Sequence, residues 1–248
     1  IVVPKFSSNS QHFAYIARKD NKEFVVLDGK EGKKYDEIYW SMIFNYFTFS
    51  PYSQHFAYTA HEGNKDFVVL DGKEGKKYDD VWFGYSAFSS DSQHFAYVVE
   101  ESNKAFIVLD GKEGKKYDNV YSPIFSSNSQ HFAYAAKESN KKFIVLDGKE
   151  GKKYDGVYYS ITFSPNSQHF AYVAREGKKA FIVLDGKEGK RYDGHWFGFD
   201  YSTFSPDSQH FAYIVRKGNK AFVVLDGEEG KKYDRIYYPT FTFSSNSQ

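Results

Sequence analysis

The sequence predicts an all-β protein built from six copies of one four-stranded antiparallel unit, and three observations support this. The His of the SQHFAY motif and the Asp of the KKYD motif lie 24 positions apart in every copy, from His12 and Asp36 to His210 and Asp234. The copies recur every 37 to 43 residues, and each contains apolar runs with strand periodicity. A unit of this length cannot bury its own apolar faces, so neighbouring copies must cover them.

Residues 157–193 illustrate the four strands of one unit. Residues 157–163 (VYYSITF) are aromatic and β-branched, and a Ser-Pro-Asn-Ser turn follows them. Residues 169–174 (HFAYVA) alternate large and small side chains, while residues 180–184 (AFIVL) are continuously apolar, as in a strand covered on both faces. After an Asp-Gly turn, a short charged strand near residues 190–193 is predicted to form the edge.

Four such strands in about 40 residues, running from an apolar inner part to a charged edge, are typical of a β-propeller blade. We therefore predict a six-bladed β-propeller in which residues 1–248 form a single domain. A seven-bladed or intermolecularly closed ring is the alternative, because seven segments have the pattern of a first strand, including residues 1–6 and residues 236–243. The surplus segment can be displaced from the ring, belong to a longer array, or pair with another molecule.

The segments FSPDSQHFAY (204–213), FSPNSQHFAY (163–172) and FSSDSQHFAY (88–97) are each followed by an apolar strand that ends in VLDG. These motifs resemble the TolB-type relatives of the WD-repeat propellers, and the resemblance covers essentially the whole chain. It implies a closed ring whose innermost strands precede the Ser-Pro-Asp/Asn turns. It implies little about activity, because that family includes binding modules, scaffolds and appendages to peptidases. Ser208 and its counterparts stand where the family usually has Gly, which puts the turn type in doubt.

The composition argues against several classes of protein. Lys and Arg number 33 against 32 Asp and Glu, and this formal charge of +1 argues against a nucleic-acid partner. The absence of cysteine removes disulfides, thiolate metal sites and thiol nucleophiles, and it leaves the compartment open. No apolar run approaches the roughly 18 residues of a membrane span, so no membrane partner is expected. Because the chain begins with Ile1, we expect a processed, trimmed or engineered product.

Length varies only between the KKYD Asp and the next SQH His, which are separated by 19, 15, 13, 14 and 17 residues. In a propeller this segment connects the outer strand of one blade to the inner strand of the next, and loops on a rigid scaffold commonly carry binding sites. All three Trp residues lie in these connections, with many other aromatic residues. We predict that this face binds a peptide, a protein or a glycan. The candidate ligand-binding residues are Trp40, Trp82, Tyr85, His195, Trp196 and Asp200.

The aromatic connections have an alternative interpretation, in which they fill the channel or cover blade edges. Further aromatic residues of this set are Phe44, Tyr46, Phe83, Tyr159, Phe197 and Tyr237. Both interpretations stay open at the level of the sequence.

Catalytic chemistry has little support. Six of the eight His residues occupy the same repeat position, which indicates a structural role in every blade. His61 lies in a polar hairpin link and is expected to be solvated, whereas His195 stands beside Trp196 and near Asp200 but has no nucleophile beside it. We predict no enzyme activity, no metal site and no cofactor. The repeated DGKEGKKYD motif is expected to serve turning and solubility.

Two functions follow from these patterns. The first is a noncatalytic β-propeller scaffold or interaction module that uses the face of the variable connections. The second is a purely structural repeat protein, recently amplified or engineered, with no evolved ligand. In either case we expect a monomer, with strand exchange between chains available through the surplus terminal strand.

Overall fold

A computed structural model describes residues 4–39, 47–158, 161–193, 202–237 and 243–244. The chain divides into two compact units, Ile1–Pro123 and Ile124–Gln248, and the single-domain organisation stays a prediction. Across the described residues all regular elements are strands, so none of these residues belongs to a helix that could cross a bilayer.

The first unit contains three antiparallel sheets, called blades 1 to 3. Blade 1 consists of β1 (Lys5–Phe6), β2 (Phe13–Lys19), β3 (Lys22–Leu27) and β4 (Lys30–Glu31). Blade 2 consists of β5 (Glu37–Ile38), β6 (Phe47–Phe49), β7 (Phe56–Glu62), β8 (Lys65–Leu70) and β9 (Lys73–Glu74). Blade 3 consists of β10 (Asp80–Phe88), β11 (Phe95–Glu101), β12 (Lys104–Leu109) and β13 (Lys112–Glu113).

Three further sheets follow as blades 4 to 6, and the division between the units falls within the first strand of blade 4. Blade 4 consists of β14 (Asn119–Phe125), β15 (Phe132–Glu138), β16 (Lys141–Leu146) and β17 (Lys149–Glu150). Blade 5 consists of β18 (Gly156–Val157), β19 (Thr162–Phe163), β20 (Phe170–Glu176), β21 (Lys179–Leu184), β22 (Lys187–Glu188) and β23 (Tyr192–Asp193). Blade 6 consists of β24 (Ser202–Phe204), β25 (Phe211–Lys217), β26 (Lys220–Leu225) and β27 (Glu228–Glu229).

The predicted fold class is confirmed: the chain is all-β and contains six antiparallel blades of four strand positions each. Two details differ from the prediction. In blade 5 the described parts of the first strand are two pieces, β18 and β19, which both pair with β20. The fourth strand also begins earlier than expected, because β22 pairs with Val183 and Leu184 directly after the Asp-Gly turn.

The turn after each first strand keeps its geometry although Ser replaces the expected Gly. Ser208 has a φ of +63°, the left-handed conformation that Gly adopts at low cost. Its backbone N–H donates to the carbonyl of Ser205 at 2.8 Å, which closes the turn. The Ser208 hydroxyl accepts the N–H of Asn166 from the preceding blade at 3.0 Å. The serine therefore supplies a contact between blades that Gly cannot make.

The repeated His residues have the structural role that the sequence indicates. In blade 1, His12 Nδ1 lies 2.8 Å from Asp28 Oδ2, and the other Asp28 oxygen accepts the N–H of Phe13 at 2.8 Å. The hydrogen bond from His12 is the main reason why the pKa of Asp28 is lowered. The same pairs recur in the other blades: His55 with Asp71, His94 with Asp110, His131 with Asp147, His169 with Asp185, and His210 with Asp226.

Within each of the two units consecutive blades pack face to face, and we call each such contact surface a joint. In the joint between blades 1 and 2, the Tyr35 ring meets the Phe67 ring edge-on, with 5.5 Å between the centroids. The same pair recurs in other joints: Tyr78 with Phe106, Tyr154 with Phe181, and Tyr192 with Phe222. All of these rings are at most 5% exposed, so in each of these four joints one blade covers an apolar face of its neighbour.

A charged group also joins consecutive blades. Lys33 Nζ lies 2.6 Å from Glu74 Oε1, and the Tyr35 hydroxyl donates to the same oxygen at 3.1 Å. The hydrogen bond from Lys33 is the largest cause of the lowered pKa of Glu74. Equivalent contacts are Lys76 and Tyr78 with Glu113, Lys152 and Tyr154 with Glu188, and Lys190 with Glu229. The DGKEGKKYD motif therefore forms hydrogen bonds and ion pairs between neighbouring blades, in addition to the turn formation and solubility expected from the sequence.

We expect the same substitution to cost different amounts at two positions of the repeat. Phe132 is 9% exposed in an internal blade, and Phe132→Ala should lower the free energy of unfolding by about 3–5 kcal/mol. Phe13, its counterpart in blade 1, is only partly buried, so Phe13→Ala should cost less. Urea denaturation followed by circular dichroism measures both. An equal or larger loss for Phe13→Ala would contradict the burial difference.

Candidate functional site

Two of the predicted site residues, Trp82 and Tyr85, lie on the first strand of blade 3. Trp82 pairs with Val98, and the register of the strand pair shifts between Trp82 and Ala87. Tyr85 lies within this irregular stretch and is 41% exposed. An irregular strand at this point places a large aromatic ring at the surface.

The other four predicted site residues lie outside the described part of the chain. They are Trp40, His195, Trp196 and Asp200. Their assignment to a ligand site stays a prediction.

A cluster of polar side chains in blade 2 adjoins the start of this strand. Asp66, which is 4% exposed, lies with its Oδ1 2.6 Å from His61 Nδ1. The Tyr39 hydroxyl donates to the same oxygen at 3.1 Å and lies 3.4 Å from the His61 nitrogen. Because Asp66 accepts both contacts, its buried carboxylate has hydrogen-bond partners within its own blade.

Blade 3 adds a second carboxylate. The Trp82 indole N–H donates to Asp80 Oδ2 at 2.8 Å. Burial raises the pKa of Asp80, and the nearby charge of Asp66 raises it further, against the lowering effect of the Trp82 hydrogen bond. We call Tyr39, His61, Asp66, Asp80 and Trp82 the polar cluster. It brings two carboxylates and two aromatic side chains to the joint between blades 2 and 3.

The polar cluster is a departure from the repeat. The positions equivalent to Asp66 are identified by the bridge that each makes to the Tyr of the KKYD motif or its equivalent. These positions hold Glu23, Ala105, Lys142, Ala180 and Ala221. The positions equivalent to His61 hold Arg18, Glu100, Lys137, Arg175 and Arg216. The combination of His61 with Asp66 occurs in one blade only, as a specific site requires.

Two sequence-based expectations are wrong in the structure. The sequence predicts a solvated His61, but its side chain is 26% exposed and its hydrogen bond with Asp66 raises its pKa. The sequence also groups Phe83 with the aromatic connections, but this residue is 1% exposed and packs against Phe95 in the core. Comparing the blades position by position would have found the His61 and Asp66 pair, because no other blade has this combination.

A cleft of about 470 Å³ lies at the other end of the same two blades, beside the Asp-Gly turns. Its polar lining includes His55 with Asp71 and His94 with Asp110, which are pairs that every blade repeats. Its chemistry is therefore not particular to this place in the chain. Within the described residues, no group of three or more His, Cys, Asp or Glu side chains is arranged to hold a metal ion.

No protein-family model matches the sequence. No curated protein matches it either. Among solved structures, the crystal structure of a eukaryotic initiation factor has a TM-score of 0.61 and 14% identity to this chain, and the match covers 93% of this chain and 64% of that chain. TolB from Acinetobacter baumannii has a TM-score of 0.44 and 15% identity, covering 91% of this chain and 66% of that chain.

Hydrazine synthase from Kuenenia stuttgartiensis has a TM-score of 0.38 and 12% identity, covering 72% of this chain and 61% of that chain. The chain thus spans 61 to 66% of the length of these three structures. At such identities a likeness concerns the fold alone. The fold class is a β-propeller of six four-stranded blades.

The His61 and Asp66 pair predicts a pH-dependent contribution to stability. Because the folded pKa of His61 is raised, its contribution is fully present below the unfolded pKa of about 6.5 and is lost as pH rises through the folded pKa. His61→Gln should therefore lower the free energy of unfolding more at pH 5 than at pH 9. Denaturation of both proteins across this range measures the difference. In an Asp66→Asn background the pH dependence should disappear, and its persistence would contradict the assignment.

Thr59 predicts a stabilising substitution. Its side-chain oxygen is buried and has no hydrogen-bond partner, and the residue is 0% exposed. The equivalent positions of the other blades hold Ile16, Val98, Ala135, Val173 and Ile214. Thr59→Val should raise the free energy of unfolding by about 1 kcal/mol, because it removes an unsatisfied hydroxyl and keeps the shape. A lower urea midpoint for Thr59→Val would show that the hydroxyl is satisfied in solution.

Proposed function

We propose that the chain is a noncatalytic interaction module that binds a peptide through a Lys or Arg side chain at the polar cluster of blades 2 and 3. The observation that carries the proposal is that Asp66 and Asp80 lie near each other: desolvation is the largest cause of the raised pKa of Asp80, and its interaction with Asp66 raises that pKa further. Two neighbouring carboxylates repel each other, and a cation between or beside them relieves that repulsion. A basic side chain is the cation that a peptide offers.

The aromatic residues support the same ligand class. A cation is attracted to the face of an aromatic ring, and Trp is the strongest partner of this kind. Trp82 is held by its hydrogen bond to Asp80, so the ring and the carboxylate have a fixed relation to each other. Tyr85, 41% exposed on the same strand, offers a further surface for the peptide. Trp40, His195, Trp196 and Asp200 stay separate candidates for ligand binding, as the sequence predicts.

A carbohydrate is the second ligand class, because the exposed Tyr85 ring can stack on a sugar. The peptide is preferred because a neutral sugar leaves the repulsion between Asp66 and Asp80 in place.

We also propose that the repeats are TolB-type relatives of the WD repeats, as their motifs indicate.

The alternative is a purely structural, recently amplified or engineered repeat protein with no evolved ligand. The structural partners of the repeated residues favour it: His12 binds Asp28, Lys33 and Tyr35 bind Glu74, and the Ser208 hydroxyl accepts a backbone N–H. These contacts explain the constant part of the repeat. They do not explain the polar cluster, which departs from it.

Titration with basic and neutral peptides tests the proposal. Peptides that contain Lys or Arg, matched peptides with norleucine at those positions, and a panel of neutral glycans are added while Trp fluorescence is followed. Only the basic peptides should bind, and binding should weaken as salt concentration rises. Binding of the glycans alone would select the second ligand class, and no binding of any probe would favour the structural alternative.

The repeat itself supplies matched control variants. Asp66→Ala and Asp80→Asn introduce residues that other blades carry at the equivalent positions, Ala105 and Asn119. Each variant should fold and should weaken binding of the basic peptides by at least about tenfold, since each removes a charge from the cluster. Glu100 pairs with Asp80 from the neighbouring strand. Glu100→Lys therefore serves as the control, because it reverses a nearby charge without changing a residue of the polar cluster. Equal weakening in all three variants would contradict a specific site.

A further inference from the structure

The polar cluster contains one residue that can become a cation, His61. It lies opposite Asp66 in the pairing of β7 with β8, and His61 Nδ1 is 2.6 Å from Asp66 Oδ1. The Tyr39 hydroxyl donates to the same carboxylate oxygen at 3.1 Å. A protonated imidazole at this distance compensates the charge of Asp66, whereas a neutral imidazole donates its hydrogen bond and leaves that charge in place.

Burial makes this contact effective. The Asp66 side chain is 5% exposed, so salt screens its interaction with His61 less than it screens a surface ion pair. The His61 side chain is 26% exposed, which lets it exchange a proton with solvent. The protonation state of His61 therefore changes the net charge beside a carboxylate that is itself held away from water.

The other blades do not carry a titratable group of this kind at the position of His61. They carry Arg18, Glu100, Lys137, Arg175 and Arg216. These side chains keep one charge state between about pH 5 and pH 8, whereas the pKa of an ordinary His falls within that range. Blade 2 therefore differs from the others in having a charge at this position that changes near neutral pH, next to a carboxylate that also departs from the repeat.

The groups around His61 on and beside β5 are acidic or phenolic. Glu37 is its partner in the pairing of β5 with β7, and the N–H of Asp36 donates to the His61 carbonyl at 3.1 Å. The Tyr39 ring meets the His61 ring edge-on, with 6.0 Å between the centroids. β6, which also pairs with β7, adds no titratable group. The hydrogen bond with Asp66 is the largest cause of the raised pKa of His61, and the charge of Glu37 adds to it.

Two charges on the hairpin of β7 and β8 have partners of their own. Glu62, at the end of β7, pairs with Lys77, and Lys65 Nζ lies 2.5 Å from Asp79 Oδ1. Both lysines are therefore engaged by other carboxylates. His61 is the cation that the polar cluster itself can supply.

Falling pH reduces the negative charge of the polar cluster in two ways. Protonation of His61 adds a positive charge beside Asp66. Protonation of Asp80 removes a negative charge, and it begins at higher pH than for an ordinary aspartate, because burial and the neighbouring Asp66 raise the pKa of Asp80. A basic side chain of a peptide is attracted by the same two carboxylates. The ligand and the proton therefore compete at this site.

We propose that His61 makes ligand binding at the polar cluster dependent on pH, such that a basic peptide binds well when His61 is neutral and weakly when it is protonated. This inference rests on the proposed function and adds a regulatory role for a residue of the same site. The imidazolium and the cation of the peptide compete for Asp66. By thermodynamic linkage a bound peptide lowers the pKa of His61, since a second cation disfavours the charged form of the imidazole.

Calorimetric titration at several pH values tests the proposal. The peptide has blocked termini and a single Lys as its titratable group, so its own charge is constant from about pH 5 to pH 8. The affinity of the wild-type protein should rise by at least about tenfold over that range, because the competing imidazolium loses its charge. A matched peptide with norleucine in place of Lys should not bind at any of these pH values.

Two substitutions separate the charge of His61 from its hydrogen bond. His61→Gln keeps a donor for Asp66 and stays neutral, so it should reduce the change in affinity to less than about threefold. The remaining change belongs to Asp80, which titrates in both proteins. His61→Lys introduces the residue that blade 4 carries as Lys137, and it should bind weakly at every pH. Circular dichroism at each pH confirms that the variants are folded.

Nuclear magnetic resonance gives a second measurement. The pKa of His61, assigned from the signal that His61→Gln lacks, should fall when the Lys peptide is added and stay unchanged with the norleucine peptide. A wild-type affinity that is the same at pH 5 and pH 8 overturns this proposal and leaves the proposed function standing, and so does a His61→Gln variant with the full pH dependence. Absence of binding at every pH in both proteins would overturn the proposed function as well.

Discussion

The joint between consecutive blades is the contact on which the rest of the structure depends. A four-stranded sheet of this composition has two apolar faces, and each becomes buried only when the next blade covers it. The edge-on pair of Tyr35 and Phe67 and the shared carboxylate of Glu74 show the two components, an apolar surface and a hydrogen-bonded ion pair. The hydrogen-bonded ion pair sets the spacing and orientation of the apolar surfaces, because Tyr35 contacts both Phe67 and Glu74.

This constraint explains why the repeat is constant over most of its length and variable in one connection. The His and Asp pair fixes the two turns at one end of each blade, and the Lys, Tyr and Glu contact fixes one blade to the next. An insertion at either place would move a partner out of reach. The connection from the outer strand to the next inner strand carries neither of these two contacts, so its length can change without moving their partners apart.

The polar cluster shows how a particular site arises within such a uniform frame. Asp66 is buried in a sheet whose strand pairing is the same as in the other blades, and His61 and Tyr39 provide its hydrogen-bond partners. These two partners offset the cost of burying a carboxylate, because the surrounding joints hold the backbone in place. Asp80 on the adjoining blade adds a second carboxylate to the site. The sequence of blade 2 alone does not predict this second carboxylate.

Local patterns in the sequence were sufficient to predict the strands, the number of blades and the structural role of the repeated His residues, since period-2 alternation and turn residues recur six times. They also predicted Trp82 as a site residue, because it lies in the variable connection between blades. Two outcomes came from tertiary contacts alone: Phe83 is a core residue, and Glu74 bridges two blades. Those outcomes depend on which side chains from different strands and blades meet, and the order of residues along the chain does not specify the distances between atoms that lie far apart in it.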